Sequence, residues 1–168
     1  MPRYTAKLSP GSFRDLAEKI RQYRLSLNDK CEEFVRQLAE EGVMIAKANI
    51  LSEDAIYTGE LLNSMSLKPG DIIYNGSAYC IYTACPWAKF VEFGTGIIGS
   101  ENPHPDTSII GWKYDVNSHG EKGWFYFKNG EWHWTKGMPS RPFMYITASE
   151  LRNIETMIRI ARRVFGDD

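Results

Sequence analysis

Cysteine and histidine are both scarce in this chain, three of each in 168 residues. A zinc site wants closely spaced Cys pairs with further Cys or His nearby. Cys80 and Cys85 form a C-x4-C without a second half, and His104, His119 and His133 are scattered. No metal and no cofactor are therefore expected. Cys31, Cys80 and Cys85 read as buried or half-buried thiols in a reducing compartment. Charge of one sign is also lacking: the formal net charge is −1. A dedicated duplex binder is usually strongly basic, because Lys and Arg must replace counterions along the phosphates. Near-neutrality argues against that class and leaves room for a local basic patch. No apolar run approaches the ~20 residues of a membrane span. Met1–Lys7 has no apolar stretch behind its charges, so no secretory signal is expected. P-loop, G-x-S-x-G and H-E-x-x-H motifs are absent.

What remains is an ordinary globular composition, 43% apolar and 24% charged, in a length that suits one domain. The charge is unevenly placed. Residues 1–28 carry a net of +4 and residues 29–60 a net of −5. Solvated helix faces explain this, and so does head-to-tail packing of identical subunits, where a positive end meets a negative one.

The periodicity predicts helices, then strands, then a helix. Ser12 followed by Asp15 marks a helix start, with Phe13, Leu16, Ala17, Ile20 and Tyr23 at helical spacing. A second helix, capped by Ser26 or Asn28, runs to about Ile50. Gly42 lies on its apolar stripe and predicts a close crossing. Thr58–Met65 reads as a capped turn leading into an extended segment. Pro69-Gly70-Asp71, Ile72–Tyr74, Asn75-Gly76 and Ala78–Thr83 suggest an antiparallel meander. Pro86–Phe93 reads as a short helix ended by Gly94-Thr95-Gly96, and Ile97 to about Tyr114 as a long polar loop. Trp124–Phe127 and Trp132–Trp134 flank Asn129-Gly130, a strong hairpin signal. Ser140 and Pro142 open one final helix with a buried stripe through Phe143, Ile146, Thr147, Leu151, Ile154, Ile158 and Ala161. Its arginines fall off that stripe and complement the helix dipole.

Gly94–Gly99 matches G-x-G-x-x-G, but the dinucleotide fingerprint needs a strand before it and a helix after it. Asn102-Pro103-His104-Pro105 breaks any such helix, so a flexible loop is expected. Each histidine reads as a surface residue. Glu92, Asp106 and Asp115 form no recognisable pair, although two carboxylates can still meet in space. The aromatic hairpin admits three uses: core packing, a protein–protein interface, or a stacking platform for sugars or single-stranded nucleic acid. It lacks the interleaved Lys and Arg that nucleic acid would want.

Three blocks carry a resemblance. Trp87-Ala88-Lys89-Phe90-Val91-Glu92-Phe93-Gly94-Thr95-Gly96 is similar to the Y-A-x-x-V-E-F-G-T core of the tail-component family of tailed bacteriophages, the head-proximal tail-completion or head–tail joining proteins. Thr58–Met65 resembles the family's T-G-x-L-x-x-S-I block, and Gly137–Met144 its A-x-P-F-[LM] block. The first helical region also fits, and the resemblance covers roughly residues 28–165. Trp87 stands where the family has Tyr, and Ile97–Lys136 is longer than in the shortest relatives.

The resemblance implies a structural virion protein without catalysis, made in the bacterial host cytoplasm and located in the neck or tail. It implies self-association into a ring, usually six-fold, between connector or stopper and tail-tube proteins, and no membrane. The expected fold is α+β: a small antiparallel sheet with N-terminal helices and a long C-terminal helix packed on it, plus the Trp-rich hairpin. One domain covers residues 1–168, with a helical arm at 1–25 and an insertion at 97–136. Candidate interface residues are Glu92, Phe93, Gly94, Thr95, Gly96, Trp124, Trp132, Trp134 and Arg141. Glu92 accepts hydrogen bonds from its own loop or from a neighbour. Gly94 and Gly96 permit a close approach. Arg159, Arg162 and Arg163 are candidates for facing a DNA channel. The alternatives are a small hydrolase using Glu92 with a histidine, or a ligand-binding module using the hairpin.

Overall fold

A computed structural model describes residues 3–53, 55, 59–71, 76–106, 108, 111–114 and 123–166. The fold is α+β: a long N-terminal helix packs on one small antiparallel sheet and against two C-terminal helices, and a second two-stranded sheet forms a hairpin. Helix α1 runs unbroken over Pro10–Ser52, about 65 Å at 1.5 Å per residue. This corrects the expectation of two N-terminal helices. Ser26 and Asn28 are weak helix formers, but each costs only a few tenths of a kcal/mol, and no Pro or Gly breaks the segment between Ser12 and Gly42. The cap is Ser9, extended at φ −141°, whose side chain accepts from the Ser12 N–H, and Pro10 occupies the first turn. Ser12 instead accepts from the Lys7 N–H at 2.8 Å.

The second half of α1 carries the body. Ala46 and Ile50 lie in a core with Ala55, Leu61, Met65, Cys85 and Phe143. At Gly42 the expected close crossing is present: a Cβ there would collide with the Ile81 and Leu151 side chains. Helix α2 (Glu60–Ser64) hands over directly to β1 (Met65–Pro69), which pairs antiparallel with β2 (Tyr79–Thr83), Met65 opposite Thr83 and Pro69 opposite Tyr79. The expected strand Ile72–Tyr74 and Asn75 lie outside the described residues. Helix α3 (Ala88–Phe93) ends as anticipated at Gly94, φ +78°.

The polar loop expected from Ile97 begins instead as helix α4 (Gly96–Glu101), stopped at Asn102 before Pro103. Strands β3 (Trp124–Lys128) and β4 (Glu131–Thr135) form the anticipated hairpin. Asn129 and Gly130 both take positive φ, 51° and 87°, as a type I′ turn demands. The short β5 (Gly137–Met138) bridges Thr95 and Gly96, so the two ends of the insertion meet.

The expected single C-terminal helix is two, α5 (Phe143–Leu151) and α6 (Ile154–Phe165). Asn153 leaves the helical region at ψ 127° and accepts from the Glu155 N–H at 2.9 Å, so it caps a new helix rather than continuing the old one. The break changes the buried face. Ile154 and Ile158, expected inside, are exposed, and Ile160 is fully buried.

Candidate functional site

The Trp87–Gly96 block is organised by one carboxylate. Glu92 is buried, on the last turn of α3. Its Oε2 accepts from the Met144 N–H at 2.9 Å and its Oε1 from the Tyr145 N–H at 3.0 Å. These are first-turn donors of α5, whose own cap position is Pro142 and supplies no side-chain bond. An anion at the positive end of a helix, accepting its free N–H groups, is a favourable arrangement. Ser140, expected to cap this helix, instead donates its hydroxyl to the Glu92 carbonyl at 2.5 Å. The Arg141 N–H donates to the Val91 carbonyl at 2.9 Å.

His104 completes the arrangement, and it corrects the reading of each histidine as a surface residue: only 7% of it is exposed. Its Nδ1 accepts from the Asp106 N–H at 3.1 Å, which leaves Nε2 as the donor to Glu92 Oε1 at 3.1 Å. The ring sits between Phe93 and Tyr145, with centroid distances of 4.9 and 5.3 Å. Trp112, which sequence reasoning missed, packs on Phe93 at 5.0 Å and donates its indole N–H to the Gly94 carbonyl at 3.1 Å. Asp106 accepts from both the hydroxyl and the N–H of Ser108, and these bonds hold its carboxyl below the usual carboxylate range.

Gly94 and Gly96 do make close approaches, to the chain's own main chain. A Cβ on Gly94 would lie 2.7 Å from the Ser140 nitrogen, and one on Gly96 would overlap the Lys136 carbonyl. The Gly96 N–H donates to the Tyr114 carbonyl. Thr95 pairs with Met138 across the bridge to β5. The G-x-G-x-x-G is thus a packed corner, preceded by a helix rather than a strand.

The aromatic hairpin divides into two faces. Trp132 lies opposite Phe127 and Trp134 opposite Phe125, in edge-on pairs with centroids 5.4 and 4.7 Å apart. All four are exposed, Trp132 to 70%. Core packing is overturned for this face. Trp124 is on the other face, half-buried over Gly96. Phe125 and Phe127 were legible from the turn: a two-residue loop at Asn129-Gly130 forces 127 opposite 132 and 125 opposite 134.

The remaining candidates are dispersed. Arg159 donates to Glu41 at 2.6 Å, while Arg162 and Arg163 are exposed on α6. Arg36 pairs with Glu33 and Glu40, and its bond to Glu33, with that of Gln37, holds the Glu33 carboxyl below its ordinary range. Cys31 and Cys80 are exposed, contrary to expectation: β2 turns Cys80 outward, and Cys31 lies where α6 stops covering α1; Cys85 is buried. Among the described residues no group of three or more His, Cys, Asp or Glu is placed to hold a metal, and no helix is long and apolar enough to cross a membrane.

No family model, curated protein or solved structure matches this chain.

Proposed function

We propose that this chain is a virion assembly protein of the phage neck or tail, a ring subunit of the tail-completion or head–tail joining type. The observation that carries the reading is a convergence. The three blocks similar to the tail-component family lie far apart in sequence yet build one core. Leu61 and Met65 come from the first, Ala88 and Val91 from the second, Phe143 and Met144 from the third. The second and third are further tied through Glu92, Ser140 and Arg141. Residues that hold each other in this way are what a shared fold would require.

The exposed aromatics support an assembly role. Four large side chains stand on one face of the hairpin, where a neighbour would bury them. A ring needs heterologous contacts that close, and this face is suited to one side of such a contact. The six-fold count, the connector and tail-tube neighbours, and any DNA contact of Arg159, Arg162 and Arg163 rest on the resemblance. The hydrolase alternative would use Glu92 with His104. These two meet, but both are buried, and Glu92 already accepts from two main-chain donors besides the imidazole.

Quantitative mass spectrometry of particles purified from the cell that encodes this chain tests the proposal. The expected result is a low, fixed copy number matching one ring. Full coverage of the other virion proteins with this chain absent overturns it.

A further inference from the structure

The first half of α1 is a helix without a body to pack on. Of residues 10–29 all but Ser12 and Leu16 are exposed. In proteins most of a helix's stability comes from packing an apolar face, and this stretch has no such packing within the chain's body. It nevertheless carries an apolar seam: Phe13, Leu16, Ile20, Tyr23 and Leu27 alternate at steps of three and four, the a and d positions of a heptad. The seam continues into the body. Its next a positions are Phe34, against Phe165 at 5.9 Å, and Glu41, bonded to Arg159. Helix α6 covers the seam from Glu41 to Phe34 and ends there. From Leu27 to Phe13 no other helix covers it; Tyr4, from the segment before the helix, stands edge-on at its flank beside Tyr23 at 6.3 Å.

We propose that a second copy of this chain covers it, the two arms pairing antiparallel about a two-fold axis between residues 21 and 22. Charge chooses the direction. In a parallel pair Lys19, a g position, lies beside the partner's Arg24, an e position, like against like. In the antiparallel pair Ile20 meets the partner's Tyr23 and Leu16 meets the partner's Leu27. Glu33 of one arm, a g position, then flanks the first turn of the other. That turn is a positive helix end with no acid of its own, followed by Arg14. The end of α6 sets the register. A shift of one further heptad would bring the partner's Leu16 onto Phe34, where Phe165 already sits. In the proposed register the partner's Phe13 stops level with Lys30, at the groove lined by Leu27, Lys30 and Phe165. A self-complementary contact closes at two copies, so it stands independently of the ring reading.

Sedimentation velocity of the full chain over a wide concentration series is the test. A monomer–dimer equilibrium is expected, and Ile20→Glu weakens it at least ~100-fold, because each dimer buries that side chain twice. Ile20 is outside the core, so the body of the variant folds. A spin label on Cys31, in a Cys80→Ser background, reads the direction. The antiparallel pair separates the two labels by about 28 Å along the axis, and a parallel pair by about 10 Å. A chain that stays monomeric, an assembly that Ile20→Glu leaves unchanged, or the short distance overturns the proposal.

Discussion

Replacing Glu92 tests whether one carboxylate holds two distant segments of the fold, α3 and the start of α5, together. Its oxygens accept from Met144 N, Tyr145 N and His104 Nε2 at 2.9, 3.0 and 3.1 Å. Glu92→Ala strands all three donors in a buried site. Bonds to a charged group contribute about 1.5–3 kcal/mol each, and partial entry of water offsets some of the loss, so about 3–5 kcal/mol is expected. Glu92→Gln keeps the shape but turns an amide N–H2 toward a donor. One bond becomes a clash, while the neutral amide is easier to desolvate, so the expected cost is the smaller, about 2 kcal/mol. For a chain of 168 residues that is a fall in Tm of about 4–8 °C for Gln. Urea unfolding followed by Trp fluorescence and far-UV circular dichroism reads it as a shift of midpoint at unchanged slope. His104→Phe is the control. It keeps a ring between Phe93 and Tyr145 and loses only the polar contacts, for about 1–2 kcal/mol. If Glu92→Gln falls within about 0.5 kcal/mol of the parent, the carboxylate does not cap α5 and the reasoning fails.

Gly96→Ala should cost about 2–4 kcal/mol in the same unfolding assay, because φ is +62° and the new Cβ overlaps the Lys136 carbonyl. Gly111→Ala, at φ +98° with open space around it, should cost only about 1 kcal/mol; equal costs would mean that close approach contributes nothing. Trp132→Ser should leave the circular dichroism unchanged and cost about 1 kcal/mol or less, since it loses one edge-on pair with Phe127, while incorporation into particles falls; normal incorporation would remove the hairpin face from the assembly role. Ser108→Ala removes the hydroxyl that chiefly lowers the Asp106 carboxyl, so carboxyl NMR should show its pKa rising toward the usual range. A lowered folded-state pKa gives stability that is present above the ordinary carboxylate range and is lost as pH falls through the lowered value. The variant's deficit should therefore disappear in acid, and a deficit that persists there would have another cause.

The features legible in the sequence are those whose cause is local. Asn129-Gly130 dictates its hairpin because both residues must take positive φ, and few other pairs do so at low cost. Gly42 announces a crossing because a glycine inside an apolar helical stripe has no other use there. The break at Arg152-Asn153 was hidden for the opposite reason. Ile154 and Ile158 continue the 3.6-residue period across it, and periodicity records spacing but not the direction of the axis. The uninterrupted α1 was hidden because Ser26 and Asn28 are acceptable both as caps and as interior residues. The Glu92–His104 contact has a separation of 12 residues, and the bonds from Glu92 to α5 span more than 50, so no window of local spacing contains them. Gly94-Thr95-Gly96 shows the limit most clearly. Two glycines around one residue read equally as a mobile loop and as a main-chain corner pressed against another segment. What separates the two is the presence of Lys136–Ser140 where the Cβ atoms would be, about forty residues later in the chain. A glycine reports that a side chain is excluded; the neighbour that excludes it is known only from the fold.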